Sequence, residues 1–265
     1  MMHIAAQPLL TPDGRVLLQL PELTLRAGEC WVVLGPNGAG KSTFLRHAAG
    51  QAAVSSPRLP ATWHWQGQPL PAWHDAVWAR QRAYLPQQHS LRAPLSVEAI
   101  VRMGAFPWQG VHAELASIMA TIVSTWELTH LLDRPWTALS GGEQQRVQLA
   151  RTALQIQLAE RDQARLWLLD EPLAALDWRH QALALQAMRV EAEAGALVLA
   201  SVHDMNAAIA IASHVLVFGE GEVLLHGALD AEPLREALCQ AFDLRLGWAT
   251  LSGADASGQW LVPLP

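Results

Sequence analysis

The chain has 265 residues, 51% hydrophobic and 16% charged, a balance that fits one compact globular domain with an inserted subdomain and excludes a disordered polypeptide. Eighteen basic against 24 acidic residues leave a net charge of −6 at pH 7, so no global basic field holds nucleic acid by its phosphates and no nucleic-acid partner is expected. The longest apolar runs, such as 196–202, fall far short of the roughly 18–20 residues of a membrane span, and residues 1–16 carry no basic segment followed by an apolar one, so a soluble, unexported chain is expected.

Cys30 and Cys239 are too few and too distant for a disulfide framework or a zinc site, which points to a reducing compartment. Lys41 is the one lysine; the other basic residues are arginine. Short apolar runs alternate with helix-like stretches, the pattern of a mostly parallel sheet covered by helices. In chain order, 31–34 reads as a strand entering a glycine loop, and 41–49 as a helix stopped by Gly50. Residues 51–75, rich in Pro, Trp and Ala, read as short strands and loops. Residues 90–139 show helical periodicity broken by Pro94, Pro107 and Pro135, which suggests a helical insertion between two halves of the sheet. Ser140 and Glu143 have capping-box spacing, so a helix starts there and runs through Val147, Leu149, Ala150 and Leu154. A strand over 166–169 ends at Asp170, and Asp177 caps a helix that runs to Gly195. A strand over 197–202 ends at His203, and 215–218 with 223–225 form a hairpin expected to close the sheet edge. The last fifteen residues look loop-like.

Three of these strands end in residues with chemical potential, as expected if a ligand binds outside the carboxyl ends of parallel strands. Gly35, Pro36, Asn37, Gly38, Ala39, Gly40, Lys41, Ser42 and Thr43 match G-x-x-x-x-G-K-[ST] between a predicted strand and a predicted helix. Glycines let backbone N–H groups converge on phosphate oxygens at a helix N-terminus; Lys41 reaches the terminal phosphates as a point charge, Ser42 can ligate Mg²⁺, and Thr43 adds a hydroxyl. Asp170 and Glu171 are adjacent acids at the end of an apolar strand and need a positive partner, which Mg²⁺ supplies. Asp170 is expected to hold the metal, while Glu171, turned the other way by strand alternation, orients or deprotonates a water. The glycine-rich helix start at Ser140, Gly141 and Gly142 is a second anion site. The 11 histidines, including His64 and His74, show no pair at ligand spacing, so structural or surface roles are expected.

Together these strings resemble the nucleotide-binding subunits of ATP-binding-cassette (ABC) transporters over roughly residues 14–228. Gly35–Thr43 resembles the Walker A loop, Gln87 the Q-loop glutamine, Leu139–Glu143 the family signature, Leu166–Glu171 Walker B, Ala174–Asp177 the D-loop, and His203 the switch histidine. The resemblance implies a P-loop NTPase (RecA-like) α/β fold with an inserted α-helical subdomain. It divides the chain into a first core half at 1–87, a helical subdomain at 88–158, a second core half at 159–228 and a C-terminal extension at 229–265. It implies a head-to-tail homodimer in which ATP and Mg²⁺ at Lys41 of one copy are closed over by Ser140, Gly141 and Gly142 of the other, with Asp177 beside the nucleotide. Glu171 would activate water, His203 would contact the γ-phosphate, and Gln87 would link the metal to a permease dimer. A solute-binding protein would act indirectly, and the subunit would sit peripherally on the cytoplasmic face of the inner membrane.

Two positions depart from the family pattern. Leu10 aligns where an aromatic usually stacks on adenine, and Leu173 replaces a Ser or Thr after the Walker B proline. Met103–Trp108 resembles importers of iron-siderophores, haem and vitamin B12, with Ala105 in place of an arginine; Phe106 and Trp108 are candidate permease anchors. The strings 176–181 and 203–208 resemble haem importer subunits most, and 67–73 with 82–88 resemble the vitamin B12 importer equally. Haem is the expected cargo. A soluble, non-transport cassette ATPase, a small-molecule kinase and a regulatory ATP sensor are the alternatives of a different class.

Overall fold

A computed structural model of the protein describes residues 1–11, 13–51, 62–87, 93–108, 114–160, 163–253 and 256–264. The sequence expectations for residues 52–61, 88–92 and 109–113 lie outside these. Four short strands come first: β1 (Met2–Ile4), β2 (Gln7–Leu10), β3 (Val16–Leu20) and β4 (Leu23–Leu25). They lead into β5 (Cys30–Leu34), α1 (Lys41–Ala48), β6 (Trp63–Trp65), β7 (Gln68–Pro69), α2 (Ala76–Gln81) and β8 (Arg82–Leu85). Gly50 follows α1 at φ +84°, the left-handed conformation of a helix-ending glycine. In the region expected to hold short strands, β6 and β7 join β1 and β4 in a small antiparallel sheet of order β4-β1-β6-β7.

The elements described between β8 and β9 are all helical: α3 (Val97–Arg102), a 3₁₀ turn (Met103–Trp108), α4 (Leu115–Thr125), two further 3₁₀ turns, and α5 (Gly141–Gln157). Ser96 caps α3, and Ser140 caps α5 with both halves of the capping box formed. Gly104 explains the glycine of the Met103–Trp108 string: a Cβ there would lie 2.3 Å from the Arg151 carbonyl oxygen, so only glycine lets the 3₁₀ turn press against α5. Buried Arg146 of α5 donates to the carbonyls of Trp126 (2.9 Å) and Glu127 (3.0 Å), which ties the end of α4 to the same helix.

The second half runs β9 (Leu166–Asp170), α6 (Trp178–Glu193), β10 (Leu197–Ser201), α7 (Met205–Ile211), β11 (His214–Phe218) and β12 (Gly221–Ala228). The main sheet has the order β2-β3-β12-β11-β5-β10-β9-β8. Its block from β11 to β8 is wholly parallel. Residues of each strand alternate between two cores: Val32, Trp167, Val198 and Val217 on one face, Val33, Leu168, Leu199 and Leu216 on the other. Both faces are covered, which is why these strands read as unbroken apolar runs. The β11–β12 hairpin does not close the edge as expected; β3 pairs with β12 and β2 with β3, so the N-terminal strands continue the sheet and the edges are β2 and β8.

The C-terminal region also departs from expectation. After α8 (Ala231–Phe242), β13 (Leu246–Gly253) and β14 (Ala256–Pro263) form an antiparallel hairpin in the stretch expected to be loop-like. Its anchor is tertiary: Leu246 and Leu261 enter the larger core, and the Asn206 side chain brackets β14 by accepting from Leu261 N (2.9 Å) and donating to Leu261 O (3.2 Å). No local apolar periodicity announces such an anchor.

Replacing Gly104 with Ala is expected to lower stability by about 1–3 kcal/mol, the usual range for overpacking a closely fitted contact. Urea denaturation with an unchanged m-value reads the loss as a shift of midpoint.

Candidate functional site

Registers in the parallel block bring the strand ends together. Ser201 lies beside Asp170 and Leu85 beside Leu169, while β5 runs into the glycine loop next to β10. Gly35 leaves β5 at φ +144°, and a Cβ there would sit 2.5 Å from the Phe218 carbonyl oxygen. Gly38 (φ +84°) and Gly40 (φ +102°) complete the loop, with Gly40 at the N-cap of α1. Positive φ at three glycines is backbone geometry of the kind an anion-binding nest uses.

Lys41 is 6% exposed, and its Nζ donates to the carbonyls of Gly35 (2.7 Å) and Pro36 (3.0 Å). Burial lowers its pKa below the usual lysine value, and the charges of Glu171 and Asp170 oppose that shift. Asp170, at 2% exposure, is the deepest acid among the described residues. Burial raises its pKa above the ordinary carboxylate value, against the hydrogen bonds from the Ser201 and Ser42 side chains. Ser201 Oγ donates to Asp170 Oδ1 at 2.7 Å and accepts the Glu171 backbone N–H at 2.9 Å, so one hydroxyl sets both acids.

Glu171 does not take its direction from strand alternation, as the sequence suggested. It stands one residue past β9 in the left-handed region, at φ +53°, a conformation that costs a non-glycine residue of order 1–3 kcal/mol. That backbone turn sends its carboxylate away from Asp170. Glu171 Oε1 accepts from Gln87 Nε2 at 2.8 Å and lies 2.8 Å from His203 Nε2. Gln145 of α5 donates to the carbonyls of Glu171 (3.3 Å) and Pro172 (3.0 Å) and fixes the turn from below.

One cleft of about 390 Å³ is lined by Asn37, Gly38, Gly40, Lys41, Ser42, Thr43, Gln87, Glu171 and His203. The structure therefore gathers residues that the sequence spreads over more than half the chain. Thr11 and Leu17, not Leu10, also line it, and no Phe, Tyr or Trp joins the lining among the described residues. Sequence reasoning missed Ser201 and Gln145. Ser201 had a signal, a hydroxyl beside His203 at the end of an apolar strand; Gln145 stood unnoticed inside the Ser140 string.

Ser140, Gly141, Gly142 and Asp177 are not part of this cleft. Ser140 and Gly141 are exposed at the head of α5, and the Glu143 carboxylate accepts from Ser140 N (2.7 Å) and Oγ (2.9 Å). Those bonds hold the Glu143 carboxyl below its usual pKa. A Cβ on Gly142 would lie 2.8 Å from the carbonyl oxygen of Ala175, itself left-handed at φ +60°, so the second glycine lets α5 abut the segment after Glu171. Asp177 Oδ1 caps α6 by accepting from His180 N (2.9 Å), and it lies 2.8 Å from the His180 ring.

Ser42 hydrogen-bonds to Asp170 and lines the cleft with Gln87, and the oxygens of these three side chains are of the type a hard divalent cation takes. No described group of three or more His, Cys, Asp or Glu residues forms a metal centre, and Mg²⁺ commonly takes one or two carboxylates together with substrate phosphates. A cation at this point would also offset the burial that lifts the Asp170 pKa.

The family model described as ABC transporter matches residues 18–174. A hemin import ATP-binding protein HmuV of Streptomyces coelicolor is 41% identical over 216 residues, covering 81% of this chain and 73% of that one. The protein of the same name from Bordetella avium is 40% identical over 233 residues, covering 86% and 87%. Among solved structures, an inward-facing ABC transporter of the metal-chelate type superposes with a TM-score of 0.75 at 23% identity, over 100% of this chain and 97% of that one. The ATP-binding subunit of another ABC transporter gives 0.73 at 24% identity, over 91% and 95%. At these identities the solved structures speak for the fold.

Ser201→Ala is expected to cost about 1–3 kcal/mol at neutral pH, because it leaves a buried carboxylate and a backbone N–H each short of a partner. The folded chain holds the Asp170 proton more tightly than the unfolded chain. The contribution of Asp170 to stability therefore declines as pH rises from the ordinary carboxylate value through the raised one. Removing the hydroxyl raises that pKa further, so the deficit of the variant shrinks as pH is lowered into the window. Urea midpoints across pH measure it; a pH-independent deficit contradicts the role given to Ser201.

Proposed function

Because the chain belongs to the ATP-binding subunits of ABC transporters, we propose that it hydrolyses ATP to drive haem uptake through a separate transmembrane permease. The observation that carries the catalytic part is the shared contact of Gln87 and His203 on one oxygen of Glu171, above the buried Ser42–Asp170–Ser201 system and next to Lys41. The cargo rests on the 36–41% identity to proteins named for hemin import.

In this reading the loop from Gly35 to Thr43 receives the phosphates by its backbone N–H groups, and Lys41 exchanges the carbonyls of Gly35 and Pro36 for phosphate oxygens. Ser42, Asp170 and Gln87 would hold Mg²⁺, which neutralises charge on the β- and γ-phosphates. Glu171 accepts a proton from the attacking water as ATP and water become ADP and phosphate. His203 and Gln87 orient its carboxylate, and His203 also reaches the γ-phosphate. In a head-to-tail homodimer Ser140, Gly141 and Gly142, with Asp177, would serve the cleft of a second copy, a reading supported by their absence from the lining of their own.

A groove of about 660 Å³ beside Gln87, lined by Trp73, Arg82, Met103, Phe106, Pro107 and Arg151 among others, suits the permease contact. Phe106 is 82% exposed there and is the better anchor of the two expected, because Trp108 packs on the core. No described helix is long and apolar enough to cross a membrane. The importer reading itself puts the subunit peripherally on the cytoplasmic face of the inner membrane.

Reconstituted with a haem permease and its solute-binding protein, the subunit is expected to release phosphate faster when hemin is supplied and not when vitamin B12 is; the opposite result removes haem as cargo. In the same system Glu171→Gln should bind ATP yet lose at least about 100-fold in turnover, the scale of a missing general base. Mixing Ser140→Arg with Lys41→Ala subunits should restore at most one working cleft per dimer, and full turnover by either variant alone excludes shared sites.

A further inference from the structure

The described lining of the nucleotide cleft holds no residue beyond His203, yet the C-terminal hairpin reaches the segment that carries this histidine. β13 and β14 pair along their length, from Leu246 opposite Pro263 to Gly253 opposite Ala256. Leu246 and Leu261, each 4% exposed, are sunk in the larger core, and Arg235 of α8 donates to the Leu246 carbonyl at 3.4 Å. The hairpin is therefore anchored to the body of the protein. Asn206, in the first turn of α7, grips it as a neighbouring strand would: Oδ1 accepts the Leu261 N–H (2.9 Å) and Nδ2 donates to the Leu261 carbonyl (3.2 Å). An edge strand leaves such groups unpaired, and one primary amide satisfies both.

His203 is strung between this grip and the sheet. On the sheet side, Ser201 ends β10 with its hydroxyl on Asp170, and the Val202 N–H donates to the Val33 carbonyl (3.4 Å). On the other side, Asp204 Oδ1 accepts the N–H groups of Asn206 (2.8 Å) and Ala207 (3.1 Å), which ties the residue after His203 to the start of α7. The His203 side chain is 48% exposed and lies on Glu171, so its place depends on how its backbone is held. With seven residues, α7 is too short to keep its direction without tertiary contacts. Arg189 of α6 donates to the Ala210 carbonyl near its end, and Asn206 holds its start. We propose that Asn206 is a positioning residue for His203: it fixes the start of α7 to the C-terminal hairpin so that the His203 ring stays on Glu171. Misplacing a group that acts in the transition state costs turnover and leaves the binding of ATP little changed. That consequence rests on the role given to His203 above; the placement of the ring does not.

In full-length protein labelled with ¹⁵N-histidine, the 11 histidines give ring signals, among which His203→Gln identifies one. Asn206→Ala is expected to move that signal, while those of His3 and His64 in the small sheet, identified the same way, stay in place and report an intact fold. Asn206→Asp keeps the acceptor for the Leu261 N–H but loses the donor, and is expected to move the signal in the same direction. In the reconstituted system Asn206→Ala should lower kcat about three- to tenfold, the scale of one or two hydrogen bonds, with KM for ATP unchanged. Added to His203→Gln, it should lower kcat no further, because the ring it positions is gone; a general loss of structure multiplies the two effects instead. A His203 signal unmoved by either Asn206 variant overturns the proposal, as does a full multiplicative loss in the double variant. If His203→Gln hydrolyses ATP at the wild-type rate, the catalytic role of His203 falls, and the ring signal alone decides whether Asn206 places it.

Discussion

The site depends on one pairing of neighbouring parallel strands, β10 against β9, that sets Ser201 opposite Asp170. A carboxylate as buried as Asp170 is costly unless hydrogen-bonded, and the Ser201 hydroxyl meets that need while accepting the Glu171 N–H. A shift of one residue in that register would turn Ser201 to the other face of the sheet and leave both acids unsupported. Both faces of β9 and β10 are apolar, so what opposes the shift is the fit of their side chains into two separately packed cores.

Division of labour follows from the same frame. Asp170 stays inside the strand, deep and hydrogen-bonded, while Glu171 leaves it through a left-handed turn and reaches Gln87 and His203. Two acids adjacent in sequence thereby face different surroundings. The same segment continues to Ala175, whose carbonyl meets Gly142 of α5, and α5 reaches back through Gln145 to the Glu171 carbonyl. The head of α5 and the turn at Glu171 are thus in direct contact, while Ser140 stays exposed.

Much of this is legible in local chemistry. Gly50, Ser140 and Asp177 end or cap helices as their residue types require, because capping is satisfied within a few residues. The four strands read from apolar runs are all present, since strands buried on both faces leave no polar interruptions. The glycines at 35, 38 and 40 announce positive φ, and Lys41 stands out as the one lysine. By contrast, β1 to β4 and the β13–β14 hairpin are short or weakly patterned and take their order from pairing with distant strands or from Asn206.

The sequence by itself determined the phosphate loop, the acid pair, the signature helix and the alternation of strand and helix, because each is written in residues a few positions apart. Only the tertiary structure decided that Ser201 and Gln145 serve the acids, that Glu171 turns by a left-handed backbone, and that Ser140 to Gly142 lie outside the cleft of their own chain. Those facts arise from strand register and helix docking across long stretches of chain. Hydrogen bonds between such distant residues leave no periodicity in the sequence, since their geometry exists only once both cores have closed on the sheet.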